Sequence, residues 1–197
     1  EMIQAILNRR SIRKYKSKDV SHHIIEEILQ AGMLAPSSKN RQPWKFIVVT
    51  GSAKTSILEA MGKGLEREKV HPFLPKSAMH LSDAWHTLDV MKEAPVLIFI
   101  VNTLGADINK SLTSDERISE ICNAQSIGAA VENMSLAAVE RGLGSLWICN
   151  TFFAHRELCE WLDTDGELYA VLAVGYAKEE PLARPRKAAE DVVEWRN

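Results

Sequence analysis

Six cations fall within ten residues in the segment RRSIRKYKSK (9–18), and a second basic run, ARPRK (183–187), lies far along the chain. Arginine presents forked N–H donors that match phosphate oxygens, and a serine hydroxyl adds a further donor. In a chain of formal net charge −2, two such clusters could converge on one anion. Two separate solvated patches would account for the same residues. A third segment, APSSKNRQPWKFIVV (35–49), places two serines, an asparagine, a glutamine and two cations between a proline and an apolar run. It is either a solvated loop or the wall of a socket for something polar. A fourth, GLGSLWICN (142–150), contains G-x-G, but Trp147 stands where a dinucleotide fingerprint needs its last glycine. It also follows a helical pattern instead of a strand, which excludes a Rossmann turn. A helix stop leading into a strand explains those glycines. There is no P-loop, no G-x-S-x-G elbow and no identifiable carboxylate pair.

Metal and disulfide chemistry find little support in the spacing. Cys122, Cys149 and Cys159 are odd in number and form no C-x-x-C, so neither a disulfide framework nor a zinc site is expected. Among the six histidines, no pair has the i, i+4 spacing of a helical metal site with an acidic partner. The expectation is no metal.

These segments must be positioned by a folded body. A chain of 197 residues with 46% hydrophobic content suits one domain with a real core, here taken as 1–197. The near-neutral charge offers no global field to recruit nucleic acid or an anionic membrane. The segment 9–18 also lacks the aromatic interleaving of a stacking platform for single strands. The longest apolar run, APVLIFIV (94–101), is far short of the ~20 residues a membrane span requires. The stretch EMIQAILNRRS has no basic start, long apolar core or cleavage site, so a cytoplasmic location is expected.

Periodicity predicts helices over 2–8, 22–35, 53–68, 81–92, 119–141 and 155–162. Strands are predicted over 44–50, 96–101, 145–148 and 168–175, the second buried on both faces. Helices and strands mix without strict alternation, which fits an α+β, helix-flanked mixed sheet. Between 127 and 139 only Glu132, Asn133 and Ser135 are polar, and at roughly 100° per residue they share no narrow stripe. A helix apolar nearly all round must be covered all round. The expectation is a homodimer interface, in preference to the alternative of a central helix within one large core.

The order R-R-S-x-R (9–13), P-S-S-x-N-x-Q-P-W (36–44), G-L-G-S-x-W (142–147) and R-x-R (184–186) resembles the nitroreductase family of FMN-dependent oxidoreductases. The likeness spans nearly the whole chain, and the second motif is the most specific. It implies a largely antiparallel central sheet, with the C-terminal tail exchanged between the subunits of a homodimer and FMN at the interface. Arg9, Arg10 and Ser11 would lie near the flavin phosphate and ribityl chain, and Arg13 at the pyrimidine edge. Arg184 and Arg186 would close on the phosphate. Pro36, Ser37, Ser38 and Asn40 would come from the partner subunit, so that the third segment becomes a socket wall built in trans. Trp147, Ile148, Cys149 and Asn150 would pass one ring face, with a backbone N–H near Cys149 or Asn150 directed at N5. Relatives often carry glycine or Glu-Gly where this chain has Cys149 and Asn150.

The activity so implied is transfer of a hydride or electrons from NAD(P)H to a small electron-poor acceptor, such as a nitroaromatic or a quinone. One site would serve both in a ping-pong cycle. The cofactor would carry the chemistry, and the protein would supply orientation and electrostatics without a catalytic side chain. The resemblance also admits a dehalogenating or flavin-cleaving enzyme, and a flavin carrier without turnover stands as the alternative.

Overall fold

The computed structural model describes residues 2–196; Glu1 and Asn197, counted in the expected 1–197 domain, lie outside the described residues. The α-helices are α1 (Gln4–Asn8), α2 (His22–Met33), α3 (Gly51–Val70), α4 (Leu81–Glu93), α5 (Ser114–Glu140) and α6 (His155–Leu162). The strands are β1 (Trp44–Val49), β2 (Val96–Asn102), β3 (Gly144–Ile148) and β4 (Glu167–Gly175). Short 3-10 turns occupy Ser38–Asn40, Pro75–His80, Asn150–Ala154 and Ala189–Asp191. The fold is α+β.

The four strands form one sheet in the order β1-β2-β4-β3, and every neighbouring pair is antiparallel. The parallel component expected of a mixed sheet is confined to a single bridge, Ser11 to Ser145, beside β3. All of β2 is buried, and its side chains alternate faces as a pleated strand requires. Leu97, Phe99 and Val101 pack with α3, α4 and α6 residues such as Met61, Leu65, Met91 and Leu158. Val96, Ile98 and Ile100 pack with Ile28 of α2 and with Val131 and Met134 of α5. The sheet is therefore a slab between two helical layers, which is why this run is apolar on both faces.

α5 begins five residues earlier than the periodicity predicts. Thr113 and Glu116 form a capping box: the Thr113 hydroxyl accepts from the Glu116 N–H while the Glu116 carboxylate accepts from the Thr113 N–H. This satisfies two amides that a helix start would otherwise leave open. Within α5, Ser126 and Ser135 donate to the carbonyls of Cys122 and Val131, four residues back, which lets buried hydroxyls sit among apolar neighbours. Gly32 gives α2 and α5 their close approach, since a Cβ there would stand 2.8 Å from Met134 Cγ. From 126 to 139 no α5 residue is fully exposed, although several are only half covered. Among the described residues no helix is long and apolar enough to cross a membrane.

Candidate functional site

The N-terminal basic segment is fixed to the sheet before any ligand is considered. The Ile12 N–H donates to Ser145 O at 2.9 Å, extending the free edge of β3. Gly144 is required for this contact, because a Cβ there would lie 2.4 Å from Ile12 Cγ1. The next residues pair with the chain that leaves β4. The Lys16 N–H donates to Tyr176 O at 2.8 Å, the Lys178 N–H donates to Lys14 O at 2.9 Å, and Tyr15 bridges Ala177. The Glu179 carboxylate accepts the backbone N–H groups of Arg13 and Lys14. The buried Tyr15 hydroxyl sits 3.0 Å from Ile12 O and 3.3 Å from Ala173 O, and burial, with the Glu179 charge adding, raises its pKa far above the ordinary phenol value.

This ladder carries residues 181–186 back over residues 9–13. Arg9, Arg10, Ser11, Arg13, Arg184 and Arg186 line one small cavity of about 130 Å³ with residues 181–183. Five guanidinium groups thus surround one concavity. Arg9 has a carboxylate neighbour, Glu132 of α5, at 3.6 Å. Arg10 donates to Leu7 O and Arg9 O, Arg13 to Ser11 O, and Arg186 to Arg184 O. Those bonds leave most of the donors free, and among the described residues no carboxylate pairs with the side chains of Arg10, Arg13, Arg184 or Arg186. Like charges gathered without counter-charge are costly unless an anion joins them. The donor set fits a phosphate group.

The other predicted residues lie elsewhere in the single chain. Pro36, Ser37, Ser38 and Asn40 do not line the arginine cavity. Their loop is nevertheless highly specified. Lys39, Asn40 and Gln42 have φ of 55°, 52° and 49°, a left-handed conformation that non-glycine residues rarely adopt. It is held by the Ser37 hydroxyl, which accepts the Gln42 N–H at 3.0 Å, and by the Ser38 N–H, which donates to Ser126 Oγ at 3.1 Å. Arg41 adds a bond to Ser119 Oγ. Ordinary solvated loops relax; this one is pinned to α5 with strained backbone. Trp147, Ile148, Cys149 and Asn150 also stand off the cavity, but they continue the strand that Ser11 joins at Ser145. Cys149 is roughly 13 Å further along at the usual rise of a strand. Trp147 and Cys149 are exposed, Ile148 is buried, and Asn150 donates from Nδ2 to Thr87 Oγ1 at 3.0 Å. Burial around the Cys149 sulfur pushes its thiol pKa up, so it is no ready nucleophile.

The sequence model described as the Nitroreductase family matches residues 6–176 of this chain. The chain belongs to the nitroreductase family. An Archaeoglobus fulgidus protein, named provisionally as an NADH dehydrogenase/NAD(P)H nitroreductase, is 31% identical over 185 residues, covering 91% of this chain and 87% of the relative. A Desulfovibrio desulfuricans protein, named provisionally as a nitroreductase and solved in complex with FMN, is 28% identical with a TM-score of 0.71, covering 98% of this chain and 96% of that one. The FMN- and NADPH-dependent nitroreductase NfnB from Sphigopyxis sp. strain HMH shares the fold at a TM-score of 0.78 and 21% identity, covering 98% of each chain.

In this nitroreductase-family chain two further groupings escaped the sequence patterns. The first is centred on Arg67 of α3. Its Nε and Nη2 grip both oxygens of Glu157 at 2.7 and 3.1 Å, its Nη1 reaches Glu68 at 2.7 Å, and it also donates to Phe153 O and His71 O. All five donors are used, which holds α6 and the turn after β3 against α3. The almost fully buried Glu68 is further satisfied by the N–H groups of Phe73 and Leu74. The second grouping is His155, Cys159 and Glu167, whose potential ligand atoms all lie within 4.8 Å of one another. Its members include only one histidine, and the i, i+4 spacing of His155 and Cys159 is the trace it leaves in the sequence. Burial lowers the His155 pKa and raises those of Cys159 and Glu167.

Proposed function

We propose that the chain is an FMN-dependent NAD(P)H oxidoreductase that passes a hydride or electrons to a small electron-poor acceptor, a nitroaromatic or a quinone, by a ping-pong cycle through one site. The observation that carries this reading is the set of five arginines with Ser11 around one cavity, in a chain that belongs to the nitroreductase family. Arg9, Arg10, Ser11, Arg184 and Arg186 hold the cofactor phosphate, and Arg13 sits towards the pyrimidine edge, where a cation favours negative charge. FMN, when bound, supplies the hydride acceptor and donor. Trp147, Ile148, Cys149 and Asn150 cover one side of the ring system and exclude water from it. The Asn150–Thr87 bond fixes the end of that stretch.

The reading includes a homodimer. Met2, Ile3, Ile6, Leu7, Ile118, Ile121 and Trp147 are exposed apolar side chains in the single chain, as are Leu182 and Trp195 of the tail. A second copy covers them, and its strained 36–42 loop supplies Pro36, Ser37, Ser38 and Asn40 to the flavin socket. Tail exchange places Trp195 against the partner.

The test is the visible spectrum of the purified protein before and after anaerobic NADH or NADPH, followed by steady-state turnover with a nitro compound and a quinone. Oxidised-flavin absorption that bleaches with nucleotide and returns with acceptor is expected. A colourless protein that takes up no added FMN overturns the reading, and reduction without turnover converts it to a carrier.

A further inference from the structure

His155, Cys159 and Glu167 lie apart from the residues proposed to hold the flavin, and nothing in that chemistry uses them. His155 and Cys159 are one turn apart on the same face of α6, as side chains at i and i+4 must be. Glu167 is the first residue of β4. The connection between them is stringently shaped. Asp163 and Gly166 have φ of 43° and 102°, and a Cβ on Gly166 would stand 2.3 Å from Asn102 O. The turn therefore clamps onto the end of β2 and directs Glu167 back towards α6. The His155 ring lies parallel to Phe152, with centroids 5.8 Å apart and planes inclined by 6°.

The three side chains crowd together, with Cys159 Sγ 3.8 Å from His155 Nδ1. His155 Nε2 lies 3.6 Å from Cys159 Sγ and 3.0 Å from Glu167 Oε2. That carboxylate oxygen is buried and receives no hydrogen bond. A Cys–His–Glu relay would use opposite ring nitrogens, one for the thiol and one for the carboxylate. Here the sulfur stands beside the ring, nearly equidistant from both nitrogens, and the three potential ligand atoms cluster within 4.8 Å of one another, as ligands about a common centre do. Tetrahedral zinc with Zn–N about 2.05 Å, Zn–S about 2.3 Å and Zn–O about 2.1 Å separates N from S by roughly 3.6 Å and N from O by roughly 3.4 Å. The observed 3.6 and 3.0 Å are close to these separations, and binding also requires the imidazole to turn its Nε2 lone pair towards the sulfur, which lies 3.8 Å from Nδ1.

We propose that His155, Cys159 and Glu167 form a zinc site, with water completing a tetrahedron. A mixed nitrogen, sulfur and oxygen set suits a borderline-soft dication, whereas calcium and magnesium take oxygen ligands. Thiolate and carboxylate together neutralise Zn²⁺, so the occupied site adds no net charge to a half-buried region. The fourth position opens on a cavity of about 530 Å³ that His155, Cys159 and Glu167 share with Arg67, His71 and Asp107. Occupancy ties α6 to β4 and so restrains the turn that follows Asn150.

The experiment uses the full chain as purified, stripped with a chelator and titrated with Zn²⁺ against a chromogenic competitor, then with Co²⁺ as a spectroscopic probe. One Zn²⁺ per chain is expected. Co²⁺ should give a thiolate-to-metal charge-transfer band and tetrahedral bands to the red of any flavin absorption. At one hundred times Kd, zinc should raise Tm by about 5–10 °C. Loss of an orienting partner alone weakens metal sites 10–100-fold, so Cys159→Ser and Glu167→Gln should each weaken zinc binding at least tenfold, while Cys122→Ser leaves it unchanged. Each variant is compared with wild type for metal-free Tm, and Glu167→Gln carries the test where Cys159→Ser fails to fold. Absence of stoichiometric binding, an octahedral cobalt spectrum without a thiolate band, or zinc affinity within twofold of wild type in a folded variant overturns the proposal. None of these readouts depends on the flavin.

Discussion

Replacing Arg184 and Arg186 together by alanine separates phosphate recognition from folding. Both residues are exposed, and they flank Pro185, which fixes its own φ and biases Arg184 towards an extended backbone. Their side chains line the cavity with Arg9, Arg10 and Arg13 and contribute little to either hydrophobic layer. If each makes one charge-assisted bond to the FMN phosphate, each is worth roughly 1.5–3 kcal/mol. The pair is then worth roughly 3–6 kcal/mol, and at 1.4 kcal/mol per tenfold FMN should bind on the order of 10² to 10⁴ times more weakly. Riboflavin lacks the phosphate, so its affinity should change by less than about threefold. The Tm of the flavin-free protein should stay level or rise slightly, because two of five crowded positive charges are gone. Flavin fluorescence titration with both ligands, alongside thermal denaturation of the flavin-free forms, reads all three quantities. Equal losses for FMN and riboflavin, or a large fall in the flavin-free Tm, would refute the reasoning and make the tail a structural strap.

Breaking the Arg67 hub with Arg67→Gln leaves the buried Glu68 without its cation and Glu157 with only the exposed Arg156, which should cost about 3–5 kcal/mol and, for a domain of this size, lower Tm by roughly 6–20 °C; a change within two degrees contradicts it. Burial raises the Glu157 pKa, but Arg67 outweighs this and holds it below the ordinary carboxylate value, so its stabilisation is present above about pH 4.5 and lost as pH falls through the lowered value. The gap between wild type and Arg67→Gln in urea denaturation should therefore narrow from about pH 5 to pH 3, and a gap that widens would reverse the sign of the argument. Gly144→Ala, whose Cβ would meet Ile12 at 2.4 and 2.9 Å, should cost about 1–3 kcal/mol by overpacking and weaken FMN binding by displacing residues 9–13. Unchanged Tm and FMN affinity would show that the segment can move without consequence.

The elements most legible in the sequence were those whose neighbours are close in the chain or whose burial is complete. β2 declared itself because both faces are covered, and α6 because its apolar positions and flanking turn residues agree. The start of α5 lies outside the periodic pattern because its first turn, SDER, is polar and exposed. The capping box at Thr113 and Glu116 was the readable signal for it. For the site, the residue types in the two basic clusters were informative, but the reason they meet was not: backbone bonds between 14–16 and 176–178 leave no periodic trace. The strain at Lys39, Asn40 and Gln42 was equally invisible, since two of the three are residue types that seldom signal a left-handed turn. Glu167 could not be joined to His155 and Cys159 without the turn through Gly166.

The pairing of residues 14–16 with 176–178 also sets an order of events during synthesis. Among the described strands β3 pairs only with β4, which also pairs with β2, so a nascent chain that ends before residue 167 has β1 against β2 and β3 without its neighbouring strand. The arginine cavity needs side chains more than 170 positions apart. If that cavity holds the flavin phosphate as proposed, a ribosome-bound chain cannot grip it until residues 184–186 have cleared the exit tunnel. Non-local closure of this kind slows folding and leaves sheet edges open for longer. On the proposed function, flavin loading becomes a late step, and chains made without the cofactor would keep residues 181–186 without the anion that gathers their arginines.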